Sequence, residues 1–246
     1  MLILGKDYET TGLEPEKHSV TEAGMVLWDT DLRAPIKVMG FLVDPGPDAI
    51  WDPEVLNMTG ITPELCAKYG YPSERALKQI LSWYQAADVA CAHNGTRFDR
   101  KFFNAWCKKY GYDPQPEKLW IDTNTDIELP YPNKMSRKLT YMAADHQFLN
   151  PFPHRAVFDV MTMFKVLDNY DLDRVLFLAK QPNLDIEALV SYDDRELAKV
   201  RGYRWNPYTD GRKGGQWIMT IKECFLEKEQ AEAGFPIKVL SKSTGQ

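Results

Sequence analysis

Leu2-Ile3-Leu4-Gly5-Lys6-Asp7-Tyr8-Glu9-Thr10-Thr11-Gly12 is the stretch on which the reading of this chain turns. Its apolar start, followed by charged residues, reads as a short strand over residues 2–8 that delivers Asp7 and Glu9 at its end. Strand side chains at i and i+2 point to the same face, so the two carboxylates lie side by side. Carboxylates that close repel one another unless a cation or a proton sits between them. Hard oxygen ligands of this kind suit Mg²⁺ or Mn²⁺. Thr10, Thr11 and Gly12 offer hydroxyls and backbone N–H groups to a substrate end, and Gly12 lets the backbone come close. Alone, the pattern fits a solvated sheet edge equally well.

Outward from that strand, the apolar-rich runs 22–30 and 36–44 read as its antiparallel neighbours, parted by a turn region containing Pro35. Residues 52–69 hold short helical pieces broken at Gly60 and Pro63, and a helix over 73–87 has Ser73 as its cap. The continuously apolar run 89–93 is a strand buried on both faces. A helix from Gly95 to Trp106 follows, with Phe98, Phe102, Phe103 and Trp106 at spacings of three and four. A last strand at 119–123 and helices at 137–147 and 156–168 complete the pattern. Three strands and then alternating helices and strands predict an α/β fold: a mixed five-stranded sheet flanked by helices. Pro182 and Asn183 punctuate a linker at Gln181–Asp185, which divides the chain into residues 1–180 and a small α+β module at 186–246.

Two more segments bear chemistry. His93-Asn94-Gly95-Thr96-Arg97-Phe98-Asp99 follows the buried strand and places Asp99 in the first turns of a helix, where its charge complements the helix dipole. Asn94 either caps that helix or hydrogen-bonds a carboxylate of the site; His93 reads as a core or supporting residue. In His154-Arg155-Ala156-Val157-Phe158-Asp159, a five-residue separation within one helix would turn the two outer side chains about 140° apart. They converge only if His154 sits on the preceding loop, in keeping with Pro153 just upstream. A histidine titrates near neutrality and there serves as general base. Arg155 is either a phosphate clamp or a surface ion-pair partner.

The segments DYETTG, AHNGTRFD and HRAVFD, in this order and spacing, resemble the three motifs of the DEDDh (DnaQ-like) 3′–5′ exonucleases. The likeness runs over roughly residues 1–170, and ITPELC and KLTYMAADH are also similar to the family pattern. One departure is Gly95, where alanine is commoner. The resemblance implies a ribonuclease H-like fold and release of 5′-mononucleotides from a 3′ end. It implies that Asp7, Glu9, Asp99 and Asp159 bind two divalent cations with His154 as general base. It also implies that Thr10, Thr11 and Leu13 meet the terminal nucleotide, Leu13 as a wedge beside its base or else as ordinary core. Phe98 reads as core within its aromatic stripe, with base stacking as the alternative. The expected partner is nucleic acid, single-stranded DNA 3′ ends foremost, with RNA the rival. A polymerase or replication partner and a non-catalytic binding protein on the same fold are further alternatives.

The segment 189–221 suggests a short helix (Arg195–Arg201), Gly202 as its stop, and strands at Tyr203–Trp205 and Gln216–Ile221. Ala198, Lys199, Gly202, Arg204, Trp205 and Trp217 resemble an A-K-x-x-G-x-R-W module of phage and mobile-element proteins. The two tryptophans read as the core of a small hairpin. The arginines and lysines, interleaved with Tyr203 and Tyr208, read as a DNA-contacting or a solvated face. The chain of 246 residues has a formal net charge of −5. Between Ser191 and Lys222 seven basic and four acidic residues leave +3, so the remainder carries −8. An acidic body with a basic tail suits a protein that binds metals in one place and phosphates in another. The four cysteines form no CxxC pair and read as reduced thiols. There is no run of about 18 apolar residues, and the apolar start is too short for a signal peptide. The expectation is a cytoplasmic protein with no membrane partner, of bacterial or phage origin.

Overall fold

A computed structural model describes residues 1–113, 117–130, 136–207 and 215–243. By contacts these fall into two compact units: one from Met1–Ile127 with Arg137–Leu172, the other from the described parts of Glu128–Ser136 and Asp173–Gln246.

The first unit is built on β1 (Leu2–Thr10), β2 (Val20–Asp29) and β3 (Ala34–Asp44), an antiparallel meander. Two short helices follow, α1 (Pro53–Thr59) capped by Asp52 and α2 (Pro63–Tyr69) capped by Thr62. The two-residue β4 (Tyr71–Pro72) pairs in parallel with the end of β3. Then come α3 (Ser73–Ala86), β5 (Val89–Ala92), α4 (Asp99–Tyr110), β6 (Trp120–Asp122), α5 (Leu139–Asp145) and α6 (Ala156–Leu167). The sheet is six-stranded, in the order β4-β3-β2-β1-β5-β6, with β1, β5 and β6 parallel. The expected five strands gain β4 at one edge, too short to leave a pattern in the sequence. β1 lies at the centre, so its last residues reach the point where the antiparallel and parallel halves of the sheet meet.

One face of the sheet buries Leu4, Tyr8, Val20, Met25 and Leu27 against Leu77, Ile80, Phe102, Phe103 and Trp106. These helical residues recur at spacings of three and four, so each helix presents one apolar stripe. The other face receives α6. A Cβ at Gly24 would lie 2.2 Å from the Ala156–Val157 backbone, and one at the paired Gly40 would lie 2.9 Å from Val157 Cβ. Two cross-strand glycines thus let the first turn of α6 settle directly on the sheet. No helix among the described residues is long and apolar enough to cross a membrane.

Two local expectations are corrected. Ser73 caps nothing; it is the first residue of α3, and its buried hydroxyl accepts the Trp106 indole N–H at 2.9 Å. The helix expected from Gly95 starts at Asp99, because the Thr96 N–H and hydroxyl are taken by the Asp122 carboxylate and Phe98 has a non-helical backbone (φ −124°, ψ −76°).

The second unit contains α7 (Leu172–Ala179), β7 (Asn183–Ala188), α8 (Arg195–Val200), β8 (Arg204–Asn206), β9 (Gln216–Lys222), α9 (Leu226–Glu232) and β10 (Ile237–Ser243). Its sheet runs β10-β7-β9-β8, all antiparallel. The linker expected at 181–185 is the start of β7, an interior strand. Leu184, Ile186 and Ala188 alternate into a small core with Ala198 and Tyr203, and that period-two pattern outweighs the punctuation of Pro182 and Asn183. Trp217 packs against this core, as expected of a hairpin core, but Trp205 does not share its burial. Trp205 is 52% exposed, its ring 5.6 Å from that of Trp217 and backed by Gly215. Several basic residues are engaged locally. Arg201 pairs with Glu229 at 2.6 Å, Lys199 with Glu196 at 3.5 Å, and Arg195 lies over the Tyr192 ring. Arg204 is exposed; Tyr208, Arg212 and Lys213 lie outside the described residues.

Candidate active site

The end of β1 and the start of α6 bring Asp7, Glu9 and Asp159 together: one carboxylate oxygen from each lies within 4.8 Å of the others. Asp7 and Glu9 share a strand face, as i and i+2 must. Asp159 enters from the first turn of α6, lowered onto that face by Gly24. Asp99 and His154 are not part of this triplet. Asp99 is buried at the first position of α4 and accepts the Tyr8 N–H at 3.1 Å, so it is tied to the strand residue between the paired carboxylates. His154 is exposed on the loop before α6, with a left-handed backbone (φ 61°). The division of His154 on the loop and Asp159 on the helix is the one that convergence requires.

Burial and mutual repulsion dominate the electrostatics. Burial, reinforced by Asp159, Glu22 and Asp99, pushes the Glu9 carboxyl up to about 8. Burial carries Asp99 to about 7 against the pull of Lys6 and the Tyr8 N–H, and carries Asp159 to about 6. Burial and its acidic neighbours raise Asp7 well above the usual carboxylate range. Such a cluster holds protons when nothing else neutralises it. An all-oxygen donor set of this charge fits hard divalent cations, which would replace those protons.

Asp159 is held at both oxygens: the Asn150 amide donates to Oδ1 at 2.8 Å and the Arg155 N–H to Oδ2 at 3.1 Å. The Arg155 guanidinium is engaged with Glu22, Nη2 at 2.8 Å from Oε1 and Nε at 3.1 Å from both oxygens. Of the two roles open for Arg155, the structure displays the ion pair. The motif around Asp99 is organised by Asp122. Its buried carboxylate accepts the N–H groups of Asn94, Thr96 and Asn124 and the Thr96 hydroxyl, at 2.7–3.1 Å. The residue at the N-cap of α4 is Phe98, not Asn94, whose backbone N–H anchors the loop. His93 bridges Thr123 Oγ1 and the Arg137 carbonyl, a supporting role.

The loop after Glu9 is bound to itself. The Thr10 hydroxyl donates to the Gly12 carbonyl at 2.6 Å, and the Thr11 hydroxyl accepts the Ser19 N–H at 3.1 Å. A Cβ at Gly12 would lie 2.4 Å from the His18 ring, so this glycine makes room for His18. Leu13 is 66% exposed and is not core. Phe98 is half-buried against Phe102, ring centroids 4.8 Å apart, and packs with the core.

Sequence reasoning passed over Glu22, Asn150, Asp122 and Lys6. Glu22 carried a signal: an acid inside an otherwise apolar strand. Lys6 is fully buried, its ammonium 3.5 Å from the Phe103 ring centroid and 4.2 Å from that of Trp120; burial lowers it to about 7.

A family model described as "RNase_T: Exonuclease" matches residues 4–167. A DNA polymerase III of PolC type from Ureaplasma parvum serovar 3 is 28% identical over 168 residues, covering 66% of this chain and 11% of the polymerase. E. coli exonuclease I bound to a dT13 oligonucleotide superposes with a TM-score of 0.62 at 18% identity, covering 80% of this chain and 50% of that one. The zinc-bound E. coli exonuclease I–single-stranded DNA complex gives a TM-score of 0.69 at 15% identity, covering 96% of this chain and 68% of that one. The chain thus spans about a tenth of the curated relative and half or more of the solved ones. At these identities the structural likeness establishes the ribonuclease H-like exonuclease fold.

Proposed function

The chain belongs to the RNase T-type exonuclease family, and from that premise we propose that it hydrolyses DNA from the 3′ end, single strands foremost, releasing 5′-mononucleotides. The observation that carries the reading is the convergence of Asp7, Glu9 and Asp159 on one point, with Asp99 buried behind them. One relative of the same fold, E. coli exonuclease I, bound to single-stranded DNA in both structures, supports a single-stranded DNA substrate.

In this reading Asp7, Glu9 and Asp159, with Asp99 beside them, would hold two divalent cations, Mg²⁺ or Mn²⁺. Such a pair, when bound, would supply Lewis acidity toward the attacking water and the departing 3′-oxygen. His154, on its exposed loop, accepts the proton of that water as its oxygen bonds to phosphorus. The P–O3′ bond then breaks, and the 3′-oxygen takes a proton from solvent. Asn150 and the Arg155 N–H fix the rotamer of Asp159. Leu13, exposed just beyond Glu9, is the apolar side chain available to lie beside the terminal base, with Thr10, Thr11 and Gly12 shaping the loop that presents it. The unit formed by residues 1–127 and 137–172 carries the chemistry, and the second unit is an accessory module.

Identification of the product tests this directly. With a dT oligonucleotide and Mn²⁺, chromatography should show thymidine 5′-monophosphate accumulating from the first minutes. Release of 3′-monophosphates, or of internal fragments before mononucleotides, would rule the mechanism out. An RNA strand degraded faster than its DNA counterpart would move the substrate assignment to RNA.

A further inference from the structure

We propose that Glu22 is a positioning residue: through Arg155 and the start of α6 it fixes the loop that carries His154. The inference rests on the exonuclease reading for its catalytic consequence, but the tether itself is a feature of the fold.

Glu22 stands on β2 directly opposite Glu9 on β1, and its side chain is 5% exposed. A fourth carboxylate in that place, left bare, would add to the repulsion within the triplet. It is instead neutralised by Arg155 through a forked contact, both Nε and Nη2 engaging the carboxylate. Its Oε2 also lies 3.4 Å from the Ala156 N–H, at the first residue of α6. Gly24, two residues along the same strand face, is where the α6 backbone comes down on the sheet. The same face of β2 therefore supplies both the seat for the first helical turn and the anchor for the residue before it. His154 precedes Arg155 directly, so a guanidinium pinned to the sheet leaves His154 little freedom to wander. The far end of the loop is fastened by Asn150, which donates to Asp159 and accepts the Phe152 N–H at 3.0 Å. Between these two anchors the loop has few degrees of freedom left. A general base misplaced by about 1 Å costs up to about 10²-fold in rate.

The test uses the full-length wild type, Glu22→Gln, Arg155→Lys and the double variant. Gln keeps the shape of Glu22 but not its charge, and Lys keeps the charge of Arg155 but cannot form the fork. Hydrogen exchange of the metal-free proteins, followed by mass spectrometry, should show faster exchange in residues 150–158 for each variant, with the core strands unchanged. With Mn²⁺ and a single-stranded oligonucleotide, kcat should fall about 10- to 100-fold at an unchanged KM. The double variant should be no slower than the worse single one, since both changes cut one tether. Unchanged exchange at 150–158 would overturn the proposal whatever the kinetics. So would a loss confined to KM, which would make Arg155 a phosphate clamp, or losses that multiply in the double variant. If one variant fails to fold, the other still decides. A wild type that hydrolyses nothing would defeat the exonuclease reading, while hydrogen exchange alone would still settle the tether.

Discussion

Divalent cation binding to the metal-free protein should expel protons, and the number follows from the site. At pH 7 a carboxyl raised to about 8, as at Glu9, is about 90% protonated. Asp99, at about 7, is about half protonated, and burial with acidic neighbours raises Asp7 in the same direction. A cation among them should therefore release at least about one proton per protein, with Asp99 adding up to about half of one more. Calorimetric titration of Mg²⁺ or Mn²⁺ in buffers of different ionisation enthalpy measures that number directly. With at least about one proton displaced, apparent affinity should weaken at least about 10-fold for each pH unit lost below neutrality. The sign for folding runs the other way. These carboxyls have folded pKa values above their unfolded ones, so their contribution to metal-free stability is full below about pH 4 and is lost as pH rises toward about 8. The thermal midpoint of the metal-free protein should carry that falling component, and excess Mg²⁺ should remove it. Release of less than about half a proton at pH 7 would mean instead that the carboxylates are already ionised and separately solvated, and the proton-holding cluster would be wrong.

His154→Gln should lower kcat by about 10²–10⁴ with little change in KM, measured under steady-state conditions; an equal rise in KM would make His154 a binding group. Gly24→Ala would set a Cβ against the Ala156–Val157 backbone. Denaturant unfolding should show a loss of about 1–3 kcal/mol, accompanied by slower turnover as α6 shifts. Lys6→Met removes a buried ammonium that has no hydrogen-bond partner among the described residues. The folded pKa of Lys6 is lowered, so its cost to stability grows as pH falls from about 10.5 toward about 7. The advantage of Lys6→Met in denaturant unfolding should accordingly be larger at pH 6 than at pH 10.

What was legible beforehand was whatever has a local period. Asp7 and Glu9 share a face because a strand repeats every two residues. Pro153, upstream of the helical run from Ala156, put His154 on a loop and Asp159 on a helix. Long-range partners left no such trace. Glu22 meets Arg155 across 133 positions, and Asp122 gathers a loop nearly thirty residues away. Gly95, set down as a departure from the family pattern, has a reason visible only in three dimensions: a Cβ there would lie 2.2 Å from that of Ala92. The same holds for Thr10 and Thr11, whose hydroxyls looked free for a substrate and instead bind their own loop. In the second unit, Pro182 and Asn183 masked the alternation of Leu184, Ile186 and Ala188, and so the strand β7 went unread.

In the proposed reaction the carboxylates around Asp7 serve a 3′-directed hydrolysis. The most direct measurement follows a 5′-labelled single-stranded DNA on a sequencing gel, with Mn²⁺, for wild type and for Asp7→Ala. Wild type should give a ladder descending one nucleotide at a time from the 3′ end, abolished by EDTA, and Asp7→Ala should give none while remaining folded. A ladder of similar rate from Asp7→Ala, or wild-type products that begin inside the strand, would contradict the account.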